Sequence, residues 1–249
     1  MNIDHHLTGQ LKTLRLGGFI ESLDLRLKQA EQEDLDYLSF LQLMVQDEIE
    51  RRQARKLTQR LSRASFEEQK TLEDFDFSFN PKIKRSLVRN LSRCLFIEKK
   101  EHIVICGPAG VGKTHLAEAL GHEACRRGYD VLFVKSIKMF RSLHAARADH
   151  CWEKRIKRFV RPKLLILDDF GLTALTATQA EDFYEIVTER HLRSSMIITS
   201  NRPPQDWVAL FPDPVMANSA LDRLSHHAHH IIIEGGESYR KKLRPRYCE

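Results

Sequence analysis

Residues 107 to 114 could bind phosphate through their backbone. Their sequence, GPAGVGKT, matches the spacing G-x-x-x-x-G-K-[ST] without a gap. The glycines permit backbone N–H groups to curl around a β-phosphate, which requires dihedral angles and close approaches that a Cβ would forbid. Lys113 would place its ammonium on the β- and γ-phosphates, and the Thr114 hydroxyl would bind Mg²⁺. The predicted nucleotide-binding loop consists of Gly107, Pro108, Ala109, Gly110, Val111, Gly112, Lys113 and Thr114.

Two consecutive acids, Asp168 and Asp169, follow an apolar run in the sequence LLILDDFG (164–171). A buried strand would place Asp168 at the carboxyl edge of a sheet, where phosphoryl-transfer sites of open α/β sheets lie. We predict that Asp168 holds Mg²⁺ together with Thr114, and that Asp169 acts as general base or orients the attacking water. An isolated pair of acids more commonly marks a turn, so this interpretation depends on the loop.

A further apolar run ends at Asn201, in the sequence MIITSNRPP (196–204). A neutral amide at the edge of a neighbouring strand can hydrogen-bond the γ-phosphate or the attacking water without adding charge. Asn-Arg-Pro-Pro alone also reads as a turn signal. Along the sequence, a single apolar run at 131–134 lies between the loop and the acids. This spacing agrees with a sheet in which the strand that ends near Asn201 lies between the loop strand and the acid-bearing strand.

Five short apolar runs alternate with helical patterns after residue 100. They predict an α/β fold with a five-stranded, mostly parallel sheet; the runs are 102–106, 131–134, 164–168, 196–199 and 230–233. From Leu7 to about Arg63 the sequence has a helical period, with one apolar stripe. Its members are Tyr37, Phe40, Leu41, Met44, Val45 and Ile49. We predict a helical domain at 1–65 and an ATPase domain at 66–249 that begins with a linker at 66–82.

The charge distribution favours a polyanionic partner. The 249 residues carry a formal net charge of +6, and residues 135–163 hold ten Lys or Arg against two acids. A second basic cluster lies at 239–246, and a third at 51–63 follows an acidic stretch at 21–50. Solvated helix faces would account for such runs too.

Composition also limits the class of protein. No run approaches the roughly 18 apolar residues of a membrane helix, and no secretory signal is visible, so we expect a cytoplasmic protein without a membrane partner. The five scattered cysteines predict neither disulfides nor a zinc site. The histidines at 226–230 lack a nearby Cys and favour polar surface over a metal site. No Asn-Lys-x-Asp sequence is present to bind guanine, so we expect ATP.

These motifs together resemble the IstB-type transposition helper ATPases of insertion sequences, relatives of the helicase loader DnaC in the AAA+ superfamily. The resemblance covers nearly the whole chain. It is carried by the sequences GPAGVGKTHLAEALG, LLILDDFG, IITSNRPPQDW, ALDRLSHHAHHI and GESYR, and in the first third by YLSFLQLMVQDEIERRQ and KTLEDFDFSFNP.

The resemblance implies an AAA+ ATPase that uses ATP and Mg²⁺, forms a homo-oligomer on double-stranded DNA and delivers a transposase of the IstA type to its target. Arg223 corresponds to the family's intersubunit arginine, which would reach a γ-phosphate bound by a neighbouring subunit. Arg240 could be a second nucleotide sensor. Two alternatives stay open: a DnaC-like helicase loader, and a nucleotide-gated DNA scaffold with negligible hydrolysis.

Overall fold

The computed structural model of the protein describes residues 5–78, 80 and 83–233. The chain forms two compact units that divide between Gln59 and Arg60. Within the described ranges, no helix combines the length and apolar composition that crossing a bilayer requires.

The first unit is helical, as predicted. Helix α1 spans His5–Thr13, α2 spans Gly17–Glu33, and α3 begins at Tyr37 and continues past the division to Ala64. Asp36 caps the start of α3, because its carboxylate accepts hydrogen bonds from the backbone N–H groups of Leu38 (2.8 Å) and Ser39 (2.9 Å). The domain boundary after residue 65 and the linker at 66–82 stay predictions.

One face of α3 packs against α2. Arg26 of α2 donates two hydrogen bonds to the Asp47 carboxylate, at 2.9 and 2.7 Å. The backbone N–H of Gly18 donates to the carboxylate of the buried Glu48, and the Met44 side chain is only 1% exposed. Successive turns of α3 thus hold α2 through an ion pair, a buried cap and an apolar contact.

The predicted apolar stripe of α3 is divided between interior and surface. Met44 is buried against α2, whereas Leu41, Val45 and Ile49 are 51%, 43% and 43% exposed. Neighbouring helical residues point about 100° apart, so a position next to a buried one need not be buried. The helix prediction is confirmed, and the residues of the predicted stripe differ in burial.

The second unit alternates strands and helices. Its elements are α4 (Arg85–Leu91), α5 (Leu95–Glu98), β1 (His102–Cys106), α6 (Lys113–Arg126), β2 (Val131–Lys135), α7 (Ser136–Ala148), α8 (Trp152–Val160), β3 (Leu164–Phe170), α9 (Ala177–Arg190), β4 (Ser195–Ser200), a 3₁₀ helix (Pro204–Leu210), α10 (Pro214–Ser225) and β5 (Ala228–Ile232).

The five strands form one parallel sheet in the order β2-β3-β4-β1-β5. The predicted α/β fold is confirmed, and so is the position of β4 between β1 and β3. Every residue of β1 and β4 is buried, which explains the continuous apolar runs. Because parallel strands share one carboxyl edge, the polar residues that follow β1, β3 and β4 meet there.

A buried arginine secures the start of β3 and β4. Arg190 of α9 is 0% exposed, and its Nη1 donates hydrogen bonds of 2.9 Å to the carbonyl oxygens of Phe159, Val160 and Pro162. Its Nη2 donates to the carbonyl of Ser195. Burial lowers the pKa of Arg190 to about 9, which still leaves it charged at neutral pH. The guanidinium therefore satisfies carbonyls at the end of α8 and the start of β4.

We predict that Arg190→Met destabilises the second unit by about 3–5 kcal/mol, because four carbonyls lose a charged donor in a dry interior. Urea unfolding followed by circular dichroism measures this. The exposed Arg193, which pairs with Glu189 at 2.9 Å, offers a matched control, and Arg193→Met should change stability by less than about 0.5 kcal/mol. Equal losses in both variants would contradict the role of Arg190.

Candidate nucleotide-binding site

The predicted phosphate loop joins the end of β1 to the start of α6. Gly107 lies against the chain after β5, and an ideal Cβ there would stand 2.6 Å from the carbonyl oxygen of Ile233. Gly112 has φ +93° and a Cβ on it would touch the Phe75 ring at 3.0 Å. Only glycine fits both conditions without strain. The loop therefore runs directly into the first turn of α6, which begins at Lys113.

Lys113 links the loop to the end of β4. Its ammonium is nearly buried and donates hydrogen bonds to the carbonyl oxygen of Pro108 (2.8 Å) and to the side-chain oxygen of Asn201 (2.7 Å). A phosphate oxygen could take the place of either acceptor, since both are neutral. The structure thus brings together two residues that lie 88 positions apart in the sequence.

Asp168 occupies the centre of the site at the end of β3. Its Oδ1 accepts hydrogen bonds from the hydroxyls of Thr114 (2.9 Å) and Thr199 (2.6 Å). Its Oδ2 is buried and has no hydrogen-bond partner among the described residues. Burial raises the pKa of Asp168, and the nearby Asp169 adds to this, while the two threonines oppose it.

The donor set suits a magnesium ion. Thr114 supplies a hydroxyl oxygen and Asp168 a buried carboxylate oxygen that has no partner in the described part of the chain, and hard oxygen ligands are those that Mg²⁺ prefers. A divalent cation would also offset the cost of burying the Asp168 charge.

Asp169 departs from regular strand geometry. Its φ of +57° lies in the left-handed region, and the register between β3 and β4 shifts between Leu167 and Phe170. The distorted backbone is held on both sides, since the Asp169 N–H donates to the Thr199 hydroxyl (3.0 Å) and its carbonyl accepts from the Ser136 hydroxyl (2.8 Å). Asp168 is therefore turned into the protein while Asp169 stays partly exposed.

Thr199 is a site residue that the sequence did not reveal. It accepts a hydrogen bond from Asp169 and donates one to Asp168, so one hydroxyl fixes both acids. In the sequence it is the fourth residue of the run MIIT, where a threonine fits a strand as well as valine does. The only available signal was the hydroxyl pair Thr199–Ser200 at the end of an otherwise apolar strand.

The segment before α4 lies along α6, next to the loop. The backbone N–H groups of Glu67 and Glu68 donate to the buried Glu118 carboxylate at 2.8 and 3.4 Å. The ring of His115 bonds the carbonyl of Thr71 (2.9 Å) and meets the Phe75 ring edge-on at 5.2 Å. The sequence predicted only a connection here, because a linker's contacts cannot be inferred from its lost helical period.

Arg223, one of the two remaining predicted arginines, is held by contacts within α10 and with α9. Arg223 on α10 donates a hydrogen bond to the Ser219 carbonyl (2.9 Å), and its guanidinium carbon lies 5.3 Å from the centre of the Tyr184 ring. The structure shows no hydrogen bond from Arg223 to Lys113, Thr114, Asp168 or Asn201. Arg240 and the basic cluster at 239–246 lie outside the described residues.

Comparison with known proteins identifies relatives along almost the whole chain. The sequence profile described as IstB-like ATP binding protein matches residues 9–246. A candidate ATP-binding protein in an insertion sequence of Mycobacterium tuberculosis is 45% identical over 243 residues, which cover 97% of this chain and 96% of the relative. A candidate ATP-binding protein of insertion sequence IS21 from Pseudomonas aeruginosa is 39% identical over 236 residues, covering 95% and 88%.

Solved structures share the fold at low sequence identity. DnaA from Aquifex aeolicus, bound to AMPPCP, has a TM-score of 0.58 at 23% identity, over 72% of this chain and 54% of DnaA. A crystal structure of DnaI has a TM-score of 0.57 at 23% identity, over 66% of this chain and 91% of DnaI. The second unit therefore has the AAA+ P-loop fold.

We predict that Lys113→Ala weakens ATP binding by about 100-fold or more, because the substitution removes a nearly buried, charged group that would donate hydrogen bonds to the phosphates. A titration with a fluorescent ATP analogue measures the affinity. Lys99→Ala, which changes an exposed lysine, is the control and should bind like wild type. Retained affinity in Lys113→Ala would remove the phosphate-site assignment.

We predict that Asp168→Asn weakens Mg²⁺-dependent nucleotide binding by at least about tenfold. The raised pKa of Asp168 adds a pH signature, since the carboxyl takes up a proton as pH falls and can then no longer attract the ion. Wild-type Mg²⁺ dependence should weaken on acidification, and calorimetric titration at several pH values measures it. An identical pH profile in Asp168→Asn would contradict this role.

The same substitution should stabilise the protein without nucleotide. A carboxyl whose pKa is raised by folding destabilises the fold at pH values above the raised pKa, and this cost declines as pH falls from there and is gone below the ordinary pKa of the group. Asp168→Asn should therefore raise the melting temperature at neutral pH and change it little in acid. A lower melting temperature at neutral pH would show that the charge is already compensated.

Proposed function

Because the chain belongs to the family of IstB-like ATP binding proteins, we propose that it is an ATP-dependent helper of transposition. It assembles as a homo-oligomer on double-stranded DNA and brings a transposase of the IstA type to the target site. The insertion-sequence context of its relatives supports this partner.

The observation that carries the proposal is the cluster of Lys113, Thr114, Asp168 and Asn201 at one edge of the sheet. It combines a cation that can bind phosphate, two oxygen ligands and the polar side chain of Asn201, which directly follows the strand between the loop strand and the acid strand. These are the parts that hydrolysis of a γ-phosphate requires.

Each residue has a separate task in the proposed reaction. Lys113 binds the β- and γ-phosphates, and Thr114 and Asp168 hold Mg²⁺, which when bound neutralises charge on the phosphate oxygens. Asp169 accepts a proton from the attacking water or orients it, and Asn201 donates its amide to the γ-phosphate or the water. The backbone of Asp169 is left-handed, and its side chain is partly exposed whereas Asp168 is buried, which supports separate tasks for the two acids.

Arg223 is proposed to act on the nucleotide of a neighbouring subunit. Its guanidinium is held by the Ser219 carbonyl and the Tyr184 ring, so it is oriented before a neighbour arrives. An arginine supplied in trans makes hydrolysis depend on assembly. Arg240 is proposed as a second nucleotide sensor of the same family pattern.

The proposed DNA contact uses basic side chains of the segment 135–163, which leads from β2 to β3. Eight of the ten Lys or Arg residues in 135–163 are exposed. Two lysines, Lys135 and Lys138, are engaged with Glu67, at 2.6 and 3.1 Å. Three basic residues on α8 are exposed: Lys154, Lys157 and Arg158. Their charges suit binding to a DNA phosphate backbone, which requires cations rather than donors that recognise particular nucleobases.

The experiment that tests this proposal is a mass measurement of complexes on duplex and on single-stranded DNA, each with ATP, with ADP and without nucleotide, at fixed salt. Large complexes that require both ATP and duplex DNA are expected, and Lys113→Ala should not form them. Binding confined to single strands would replace the proposal with a helicase loader. Assembly without any turnover would replace it with a nucleotide-gated scaffold.

We predict that Arg223→Ala binds ATP within about threefold of wild type but hydrolyses it about 1,000-fold more slowly on duplex DNA. A phosphate-release assay under saturating ATP measures turnover. Arg193→Ala, which changes an exposed residue in the turn after α9, is the control and should retain activity. Normal DNA-stimulated turnover in Arg223→Ala would exclude the role in trans.

A further inference from the structure

The first unit contains an open cleft that is lined by cations. Its volume is about 480 Å³, and it lies where the end of α1, the start of α2 and the second half of α3 meet. All of its lining residues belong to the first unit. Four of them are basic, and we call these the cleft cations: Lys12, Arg15, Arg51 and Arg55. One lining residue, Glu21, is acidic.

This concentration of positive charge does not follow from the composition of the unit. Residues 1–59 hold eight Lys or Arg against ten Asp or Glu, so their formal net charge is −2 with histidine neutral. Half of these basic residues nevertheless line one cleft. Like charges that share a cleft repel each other, so the fold keeps them together at a cost in stability.

Local contacts leave most of the cleft charge without a counter-ion. Arg51 pairs with Glu21 at 2.9 Å. An ideal Cβ on Gly17 would stand 2.5 Å from Nη1 of Arg51, so the guanidinium lies directly against the backbone where α2 begins. The other three cleft cations are exposed and form no ion pair among the described residues. One acid therefore faces four cations.

The neighbouring Arg52 differs from the cleft cations because its charge is used within the fold. Its Nε donates a hydrogen bond to the buried Glu48 carboxylate (2.6 Å), and its Nη2 donates to the carbonyl oxygen of Arg15 (3.2 Å). The acid of the cleft is instead 65% exposed, so its ion pair is weak. The basic run at 51–63 thus contains one arginine that joins the helices and others that face a cleft.

We propose that the cleft cations bind the phosphate backbone of double-stranded DNA, as a second contact besides the basic residues of α8. Three of the four are arginines, whose planar guanidinium can donate two parallel hydrogen bonds to phosphate oxygens. An open cleft admits a continuous polyanion as well as a single ion. The inference rests on the proposed function, which supplies duplex DNA as the partner.

The salt dependence of DNA binding tests this site. Arg15→Gln with Arg55→Gln removes two cleft cations, and Lys28→Gln with Lys56→Gln removes two exposed lysines of the same unit that do not line the cleft. Anisotropy of a short fluorescent duplex, with ATP present, gives the dissociation constant at several salt concentrations. Each lost phosphate contact lowers the slope of log affinity against log salt by about 0.9.

The cleft variant should therefore lose about 1.8 from this slope and bind duplex DNA about 10- to 100-fold more weakly near 0.1 M salt. The lysine variant should keep the wild-type slope. The loss should be equal for two duplexes of unrelated sequence, because phosphate contacts do not depend on the bases. All four substituted side chains are exposed and lie outside the nucleotide site, so melting and ATP affinity should match wild type in both variants.

Removal of the acid from the cleft gives a test of opposite sign. Glu21→Gln leaves the cleft cations unopposed and should tighten duplex binding about two- to fivefold. Asp24→Asn, which changes an exposed acid of α2 outside the cleft, is the control. Its effect should stay below about 1.5-fold, since solvent and salt screen charges that are not in contact with the phosphates.

Inorganic phosphate distinguishes a site for a free anion from a site for DNA. We expect it to bind wild type only above about 1 mM. Tight phosphate binding, with duplex affinity unchanged in the cleft variant, would overturn the proposal. Equal slopes in the cleft and lysine variants, or equal affinities in Glu21→Gln and Asp24→Asn, would also overturn it. These results contradict the cleft site alone, whereas a wild-type chain that binds no duplex DNA would contradict the proposed function as well.

Discussion

A carboxylate buried in a dry interior is costly unless its oxygens have partners, and among the described residues Asp168 has partners for only one of its two oxygens. The hydroxyls that serve the satisfied oxygen come from α6 and from β4, while Asp168 itself ends β3. Three elements that are far apart in the sequence therefore converge on one atom. A bound cation would compensate the charge on the other oxygen, Oδ2.

This convergence depends on the order of the strands. With β4 between β1 and β3, Thr199 stands between the phosphate loop and the acids, and Asn201 stands next to Lys113. All adjacent strands are parallel, so their carboxyl ends share one edge. Arg190 fixes the opposite ends of β3 and β4 by bonding the carbonyls that precede and begin them. The buried guanidinium of Arg190 thus stabilises, from the opposite edge of the sheet, the two strands that position the site.

The sequence was sufficient for the fold and for the residues with distinctive chemistry. Continuous apolar runs predicted the strands, because a strand that is buried on both faces consists almost entirely of apolar residues. The last strand was harder to predict. The apolar run predicted 230–233, whereas β5 is Ala228–Ile232, because this edge strand begins with a half-buried alanine and two histidines and so lacks a clear apolar pattern. The role of Thr199 could not be predicted, because a hydroxyl in a strand gains its meaning only from the neighbouring strand. The exposed side of α3 was missed for a similar reason, since periodicity shows that a helix is amphipathic but not which of its apolar residues has a neighbour.

The hydrogen bonds of Lys113 in this structure have a consequence for the kinetics of nucleotide exchange. Its ammonium already bonds the carbonyl of Pro108 and the amide oxygen of Asn201, so an arriving phosphate must displace internal acceptors rather than fill an empty space. The protein therefore contains its own competitor for the phosphate position. When a phosphate leaves, the ammonium of Lys113 can hydrogen-bond the same two acceptors again. The buried charge therefore keeps hydrogen-bond partners at the moment of release. The same two oxygen atoms thus oppose the binding of a phosphate and favour its release.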